Sequence, residues 1–249
     1  MTAQLNGSTA LVTGGTSGIG RAIALDLAAD GAHVIVSGRD IARAEEVVAV
    51  IRANGGKADF VTTSLSDEST ARDLARRATE LGGGHVDILV NNAGVYPFGP
   101  TAETDQADFD SVYDINVKAP FFLVSALAPQ MAERGKGAIV NVGTMVAHYG
   151  QAGMALYGSS KAALLLLTKA WAAEYGPSGV RVNAVSPGPT RTEGTSGMGD
   201  GLDQLAATTP HGRPGLPEEI AAAVTFLVSD DAAYIHGAQL PVDGGRIAV

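Results

Sequence analysis

Seven short runs of β-branched and aliphatic residues recur along the chain, most of them followed by a stretch with helical spacing, and this alternation constrains the fold most. The runs are Ala10–Thr13, His33–Val36, Asp59–Thr62, Ile88–Asn91, Ala138–Val142, Val182–Val185 and Gln239–Val242. Strands that alternate with helices predict βαβ units around a parallel sheet. Most runs lack apolar–polar alternation, so helices are expected on both faces. Helices are predicted over 41–53, 68–81 and 217–229. Another is predicted over 102–133, kinked near Asn116 and Pro120, because asparagine is a poor helix former and proline lacks a backbone donor. The 249 residues, 45% apolar and 17% charged, predict one globular α/β domain over 1–249. The aperiodic Gly/Thr/Met-rich stretch at about 189–215 is expected to be a binding loop.

A net charge of −9 without a Lys/Arg cluster argues against nucleic acid and anionic membrane as partners. No long apolar run or basic leader is present, so neither a membrane span nor a signal peptide is expected. The absence of cysteine removes disulfides and thiolate metal sites and fits a cytoplasmic location. No His/Asp/Glu spacing suggests a catalytic metal.

The first run feeds Thr13-Gly14-Gly15-Thr16-Ser17-Gly18-Ile19-Gly20, and a helical pattern follows at once. Strand, glycine turn and helix in this order are what a dinucleotide site requires. Gly14 allows the tight turn, Gly18 the close approach of a pyrophosphate, and Gly20 close helix–strand packing, while the helix N-terminus offers free N–H groups. Gly14, Thr16, Ser17, Gly18, Ile19 and Gly20 are therefore candidate cofactor contacts. The second run ends in Gly38-Arg39-Asp40. Arg39 would accommodate a 2′-phosphate, which favours NADP(H) over NAD(H); Asp40 in a ribose-binding role is the alternative.

Tyr157 and Lys161 stand four residues apart, on one helix face. An ammonium beside a phenol is expected to lower the phenol's pKa and ready it for proton transfer. Thr144, at the end of the fifth run, offers a hydroxyl that would donate to a substrate oxygen. Asn91-Asn92-Ala93-Gly94 follows the fourth run, where small residues allow a ligand to come close.

In this order and spacing the motifs resemble the short-chain dehydrogenase/reductase family, from Leu5 to Gly245. The marks are Thr13-Gly14…Gly18…Gly20, Asn91-Asn92-Ala93-Gly94, Asn116, Tyr157…Lys161, Pro187-Gly188 with Thr192, and Val242-Asp243-Gly244-Gly245. The resemblance implies a Rossmann-type, doubly wound, seven-stranded parallel sheet of order 3-2-1-4-5-6-7, assembled into homotetramers. It implies that Tyr157 is the general acid/base, and that Lys161 binds the nicotinamide ribose and depresses the tyrosine's pKa. Asn116 would support a proton relay and Thr144 would orient the carbonyl. Asn92, Ala93, Gly94, Pro187, Gly188, Thr190 and Thr192 would lie along the cofactor. Two departures stand out: Thr144 replaces the usual serine, and Ser64-Leu65 replaces the usual Asp-Val that meets the adenine. The implied function is hydride transfer between NADP(H) and a neutral ketone or secondary alcohol. An NAD-dependent dehydrogenase and a non-catalytic nucleotide-binding regulator are the alternatives.

Overall fold

The computed structural model describes residues 4–249. Strands β1 (Thr9–Thr13), β2 (His33–Gly38), β3 (Lys57–Thr62), β4 (Ile88–Asn91), β5 (Gly137–Val142), β6 (Val180–Pro187) and β7 (Gln239–Val242) form one sheet. Its order is β3-β2-β1-β4-β5-β6-β7, all pairs parallel, as expected. The crossovers are α1 (Gly18–Ala29), α2 (Ile41–Ala53), α3 (Glu68–Leu81), α4 (Gln106–Tyr113), α5 (Ala119–Glu133) and α6 (Ala155–Tyr175). A short α7 (Asp200–Ala206) and the helix α8 (Pro217–Val228) precede β7.

Strand periodicity splits the core in two. Val12 points to the face covered by α1, α2 and α8, while its neighbour Leu11 points to the face covered by α3, α5 and α6. Each strand thus feeds two apolar layers, which is why the runs read as nearly unbroken. Each fully buried aliphatic side chain, such as Leu11 or Ile35, stabilises the fold by about 1.5–3 kcal/mol.

Two segments differ from the expectation. The helix predicted over 102–133 starts only at Gln106, after a 3₁₀ turn at Thr101–Glu103, and is irregular at Asn116. It widens into a π-helical turn over Asp114–Lys118, and Pro120 sits in the first turn of α5, where its missing donor costs little. The stretch at 189–215 is not without structure. It holds a 3₁₀ segment, Glu193–Met198, and then α7. Only Leu202 and Ala206 of α7 are buried, so its apolar periodicity is too brief to read, and an Arg191–Asp203 ion pair at 2.6 Å ties it back.

The strand order reverses between β1 and β4. In a parallel sheet the loops at the carboxyl ends on either side of such a point open into a crevice. The segments after β1, β4, β5 and β6 all emerge at this edge.

Candidate active site

The turn after β1 is shaped by contacts that leave no room for side chains. Gly14 has a φ of +62°, and a Cβ on Gly20 would stand 2.1 Å from the Gly14 carbonyl oxygen. Asn92 braces the turn from β4: its Nδ2 donates to the carbonyls of Thr13 (2.8 Å) and Gly14 (3.1 Å). Its backbone N–H donates to Thr13 Oγ1 at 3.0 Å. Asn92 lines the crevice, and its amide is committed to the glycine turn. Ser17 begins α1 without a side-chain cap, which leaves the first N–H groups of the helix open. One of them already holds an anion: Gly18 N–H donates to Glu193 Oε2 at 3.0 Å.

At the other end of the turn, Gly38 packs against Thr16, and a Cβ there would lie 2.6 Å from Thr16 Cγ2. Arg39 is exposed at the crevice mouth. Asp40 is occupied: its carboxylate caps α2 by accepting from Arg43 N–H at 3.1 Å. That use weakens the alternative in which Asp40 holds a ribose. Ser64 and Leu65 line the same end, Ser64 exposed and Leu65 buried.

The far end of the crevice collects Thr144, Tyr157 and Lys161. Tyr157 enters from the first turn of α6, and Thr144 from the end of β5. The phenol is pushed up to about 12, chiefly by burial; a hydrogen bond with Thr144 lowers it and the nearby Tyr96 raises it. Lys161 is buried, and its Nζ donates to the Val142 carbonyl at 2.8 Å. Burial brings it from the ordinary 10.5 down to about 8. The expectation that Lys161 lowers the tyrosine's pKa is therefore corrected. Among the protein's own groups desolvation prevails, because it disfavours the charged form of both side chains and the ammonium is directed at a carbonyl.

Asn116 is fully buried in the π-turn, which turns its amide out of the helix surface. Oδ1 accepts from Val95 N–H, and Nδ2 donates to the Val95 carbonyl, each at 2.9 Å. Nδ2 also donates to Ser160 Oγ at 3.0 Å. A Cβ on Gly94 would sit 3.1 Å from Asn116 Oδ1 and 3.3 Å from Lys161 Nζ, so the two groups border one small space. Ala93, Gly94, Pro187, Gly188, Thr190 and Thr192 line the crevice as well. Gly188 has no alternative, since a Cβ would lie 2.5 Å from Asp243 Cα.

Sequence reasoning missed a buried polar chain behind the site. Asn91 Nδ2 donates to Asn141 Oδ1 at 2.9 Å, and Asn141 Nδ2 donates to Thr168 Oγ1 at 2.8 Å, tying β4 and β5 to α6. The polar residues inside otherwise apolar strands were its only signal. It missed Gln151, which lines the crevice, and Glu193, which reaches Gly18 of the glycine turn, both on segments without periodicity.

The crevice measures about 530 Å³ and runs from Arg39 to Tyr157. A cationic end, a glycine turn whose N–H already donates to a carboxylate, and an apolar end with a phenol fit a phosphorylated dinucleotide. A model of the enoyl-(acyl carrier protein) reductase family matches residues 14–246. A solved structure described as a short chain dehydrogenase/reductase family protein is 50% identical, covers 99% of this chain and 100% of its own, and superposes with a TM-score of 0.92. The chain belongs to the short-chain dehydrogenase/reductase family. It is an oxidoreductase of a family that works with nicotinamide cofactors. Cyclopentanol dehydrogenase of Comamonas sp. (strain NCIMB 9872) is 37% identical over 98% of this chain and 99% of its own. A blue fluorescent protein from a metagenomic library, solved in complex with NADPH, is 37% identical, with a TM-score of 0.92 over 98% of this chain and 99% of its own. Among the described residues of this short-chain dehydrogenase/reductase, no helix is long and apolar enough to cross a membrane, and no group of three or more His/Cys/Asp/Glu could hold a metal ion.

Proposed function

We propose that the protein transfers hydride between NADP(H) and a neutral ketone or secondary alcohol, with Tyr157 as the proton donor and acceptor. The observation that carries this reading is the meeting of Tyr157, Thr144 and Lys161 at the apolar end of a crevice whose other end is Arg39. Gly14, Gly18 and Gly20 would admit the pyrophosphate, Arg39 the 2′-phosphate and Lys161 the nicotinamide ribose. When bound, the cofactor supplies or takes up the hydride.

The chain's own groups handle the proton. A phenol held near 12 stays protonated at neutral pH, which suits it to donate to a developing alkoxide during reduction. The Thr144 hydroxyl would orient the same oxygen and stabilise its charge. Lys161 and Asn116, which border one space at Gly94, would return a proton to the tyrosine. Oxidation needs the phenolate and would gain at alkaline pH.

The apolar walls support a neutral substrate: Val95, Met145, Val146, Met154 and Leu205 line that end, with no cationic cluster beside them. The segment at 189–215 is proposed as the substrate loop. Phe121 on α5 and Leu166 on α6 are exposed, 44% and 68%, which supports an assembly through these helices as a homotetramer. The test is a panel of ketones and alcohols with NADPH and NADP⁺, repeated with Tyr157→Phe. Turnover is expected to vanish in the variant while its NADPH affinity stays within about twofold. A variant with wild-type turnover refutes the mechanism.

A further inference from the structure

The segment Thr192–Met198 crosses the mouth of the crevice between two fixed points. One is the glycine turn, through Gly18 and Glu193. The other is Tyr96, which follows β4. A Cβ on Gly194 would stand 2.1 Å from the Tyr96 hydroxyl oxygen but 3.4 Å from Cζ. The hydroxyl, not the ring, fills the space under Gly194. The same ring meets Tyr157 edge to face, with centroids 6.1 Å apart and an interplanar angle of 64°. One side chain therefore touches both the proton-exchanging phenol and the segment above it.

We propose that Tyr96 is a positioning residue for the reaction. Its hydroxyl is the seat on which the 192–198 segment rests, and its ring edge holds Tyr157 in orientation. Met198 ends that segment, Leu202 and Leu205 follow it, and all three line the crevice, so the height of the seat sets how far this apolar wall stands from Tyr157. Seating of the loop on the substrate and aim of the catalytic phenol are coupled through one residue. Closure of such segments completes catalytic sites and excludes water. This inference rests on the proposed ketone/alcohol reaction, and it gives Gly194 a reason: a Cβ there displaces either the segment or the Tyr96 hydroxyl beneath it.

The experiment uses four proteins: wild type, Tyr96→Phe, Gly194→Ala and the double variant. Hydrogen exchange of the 192–206 amides reads the seat directly and needs no substrate. Gly194→Ala is expected to speed exchange there about tenfold, and adding Tyr96→Phe to restore it to within about threefold of Tyr96→Phe alone, because 3.4 Å to Cζ is an ordinary contact. Ketone reduction reads the consequence. Gly194→Ala is expected to lose about 10–100-fold in kcat/KM with NADPH affinity held within about twofold, and the double variant to recover most of it. Tyr96→Phe alone should raise KM several-fold more than it lowers kcat. Unchanged exchange in Gly194→Ala, or a double variant no better than Gly194→Ala, overturns the seat. Recovery of exchange without recovery of kcat/KM overturns the coupling to catalysis. If the wild type reduces no ketone and oxidises no alcohol, the proposed reaction fails and takes the catalytic role of Tyr96 with it, while the exchange result still decides the seat.

Discussion

Replacing Lys161 with methionine tests what the buried amine costs the fold. The variant keeps the length and apolar stem but cannot titrate. In the unfolded chain the amine titrates near 10.5 and in the native protein near 8. Between these values the unfolded chain binds more protons, so native stability rises with pH. The contribution of the neutral amine is complete above 10.5 and is lost as pH falls through 8. At ~1.4 kcal/mol per pKa unit the window spans about 3 kcal/mol. The substitution also leaves the Val142 carbonyl without its donor, a penalty of about 1–3 kcal/mol that does not depend on pH in this range. The sign of the difference at neutral pH is therefore set by two opposed terms, but its slope is set by one. Urea unfolding of both proteins at several pH values is the assay, since all other groups titrate alike and cancel. The wild type is expected to gain about 3 kcal/mol on Lys161→Met between pH ~7.5 and ~10.5, equivalent to roughly 6–12 °C in relative Tm for a chain of this size. A difference that stays constant within ~0.5 kcal/mol over that window refutes a depressed lysine.

Gly20→Ala drives a methyl into rigid backbone at 2.1 Å from the Gly14 oxygen, and overpacking of this kind costs about 1–3 kcal/mol. A lower Tm and loss of NADPH binding are expected; a variant with wild-type affinity contradicts the glycine-turn geometry. Glu193→Ala frees Gly18 N–H from its carboxylate and removes a negative charge from the pyrophosphate end, so NADPH is expected to bind about 3–10-fold more tightly by fluorescence titration. Weaker binding would mean that Glu193 holds the loop rather than competing for the turn. Arg39→Ala is expected to weaken NADPH by about tenfold to a hundredfold and to leave NADH nearly unchanged. Equal losses for both cofactors sink the 2′-phosphate assignment.

Much of the site was legible because its chemistry is local in the chain. Tyr157 and Lys161 are one helical turn apart, and the glycine turn is a contiguous string whose neighbours on either side declare strand and helix. From the residues themselves Asn116 was legible as an irregularity in a helix, and its relay role came only from the family resemblance. Its meaning depends on Val95 and Ser160, which are 21 and 44 residues away in sequence, and on a π-turn that hydrogen bonding across the fold sustains. The helix at Asp200–Ala206 escaped because two buried positions do not make a period.

The pKa of Tyr157 marks the boundary. Spacing put a lysine beside the tyrosine, and the elementary expectation from that pair is a lowered phenol. How many neighbouring atoms exclude water, and where Nζ is directed, are properties of packing, and they reverse the direction. The residue order by itself determined the parallel sheet, the glycine turn between β1 and α1, and the placing of Tyr157 and Lys161 on one helix face, because each rests on periodicity or short-range spacing. Only the tertiary structure decided the direction in which burial shifts Tyr157 and Lys161, the contact of Glu193 with Gly18, and that of Tyr96 with Gly194. Each of these depends on desolvation or on contacts between residues that the sequence sets far apart.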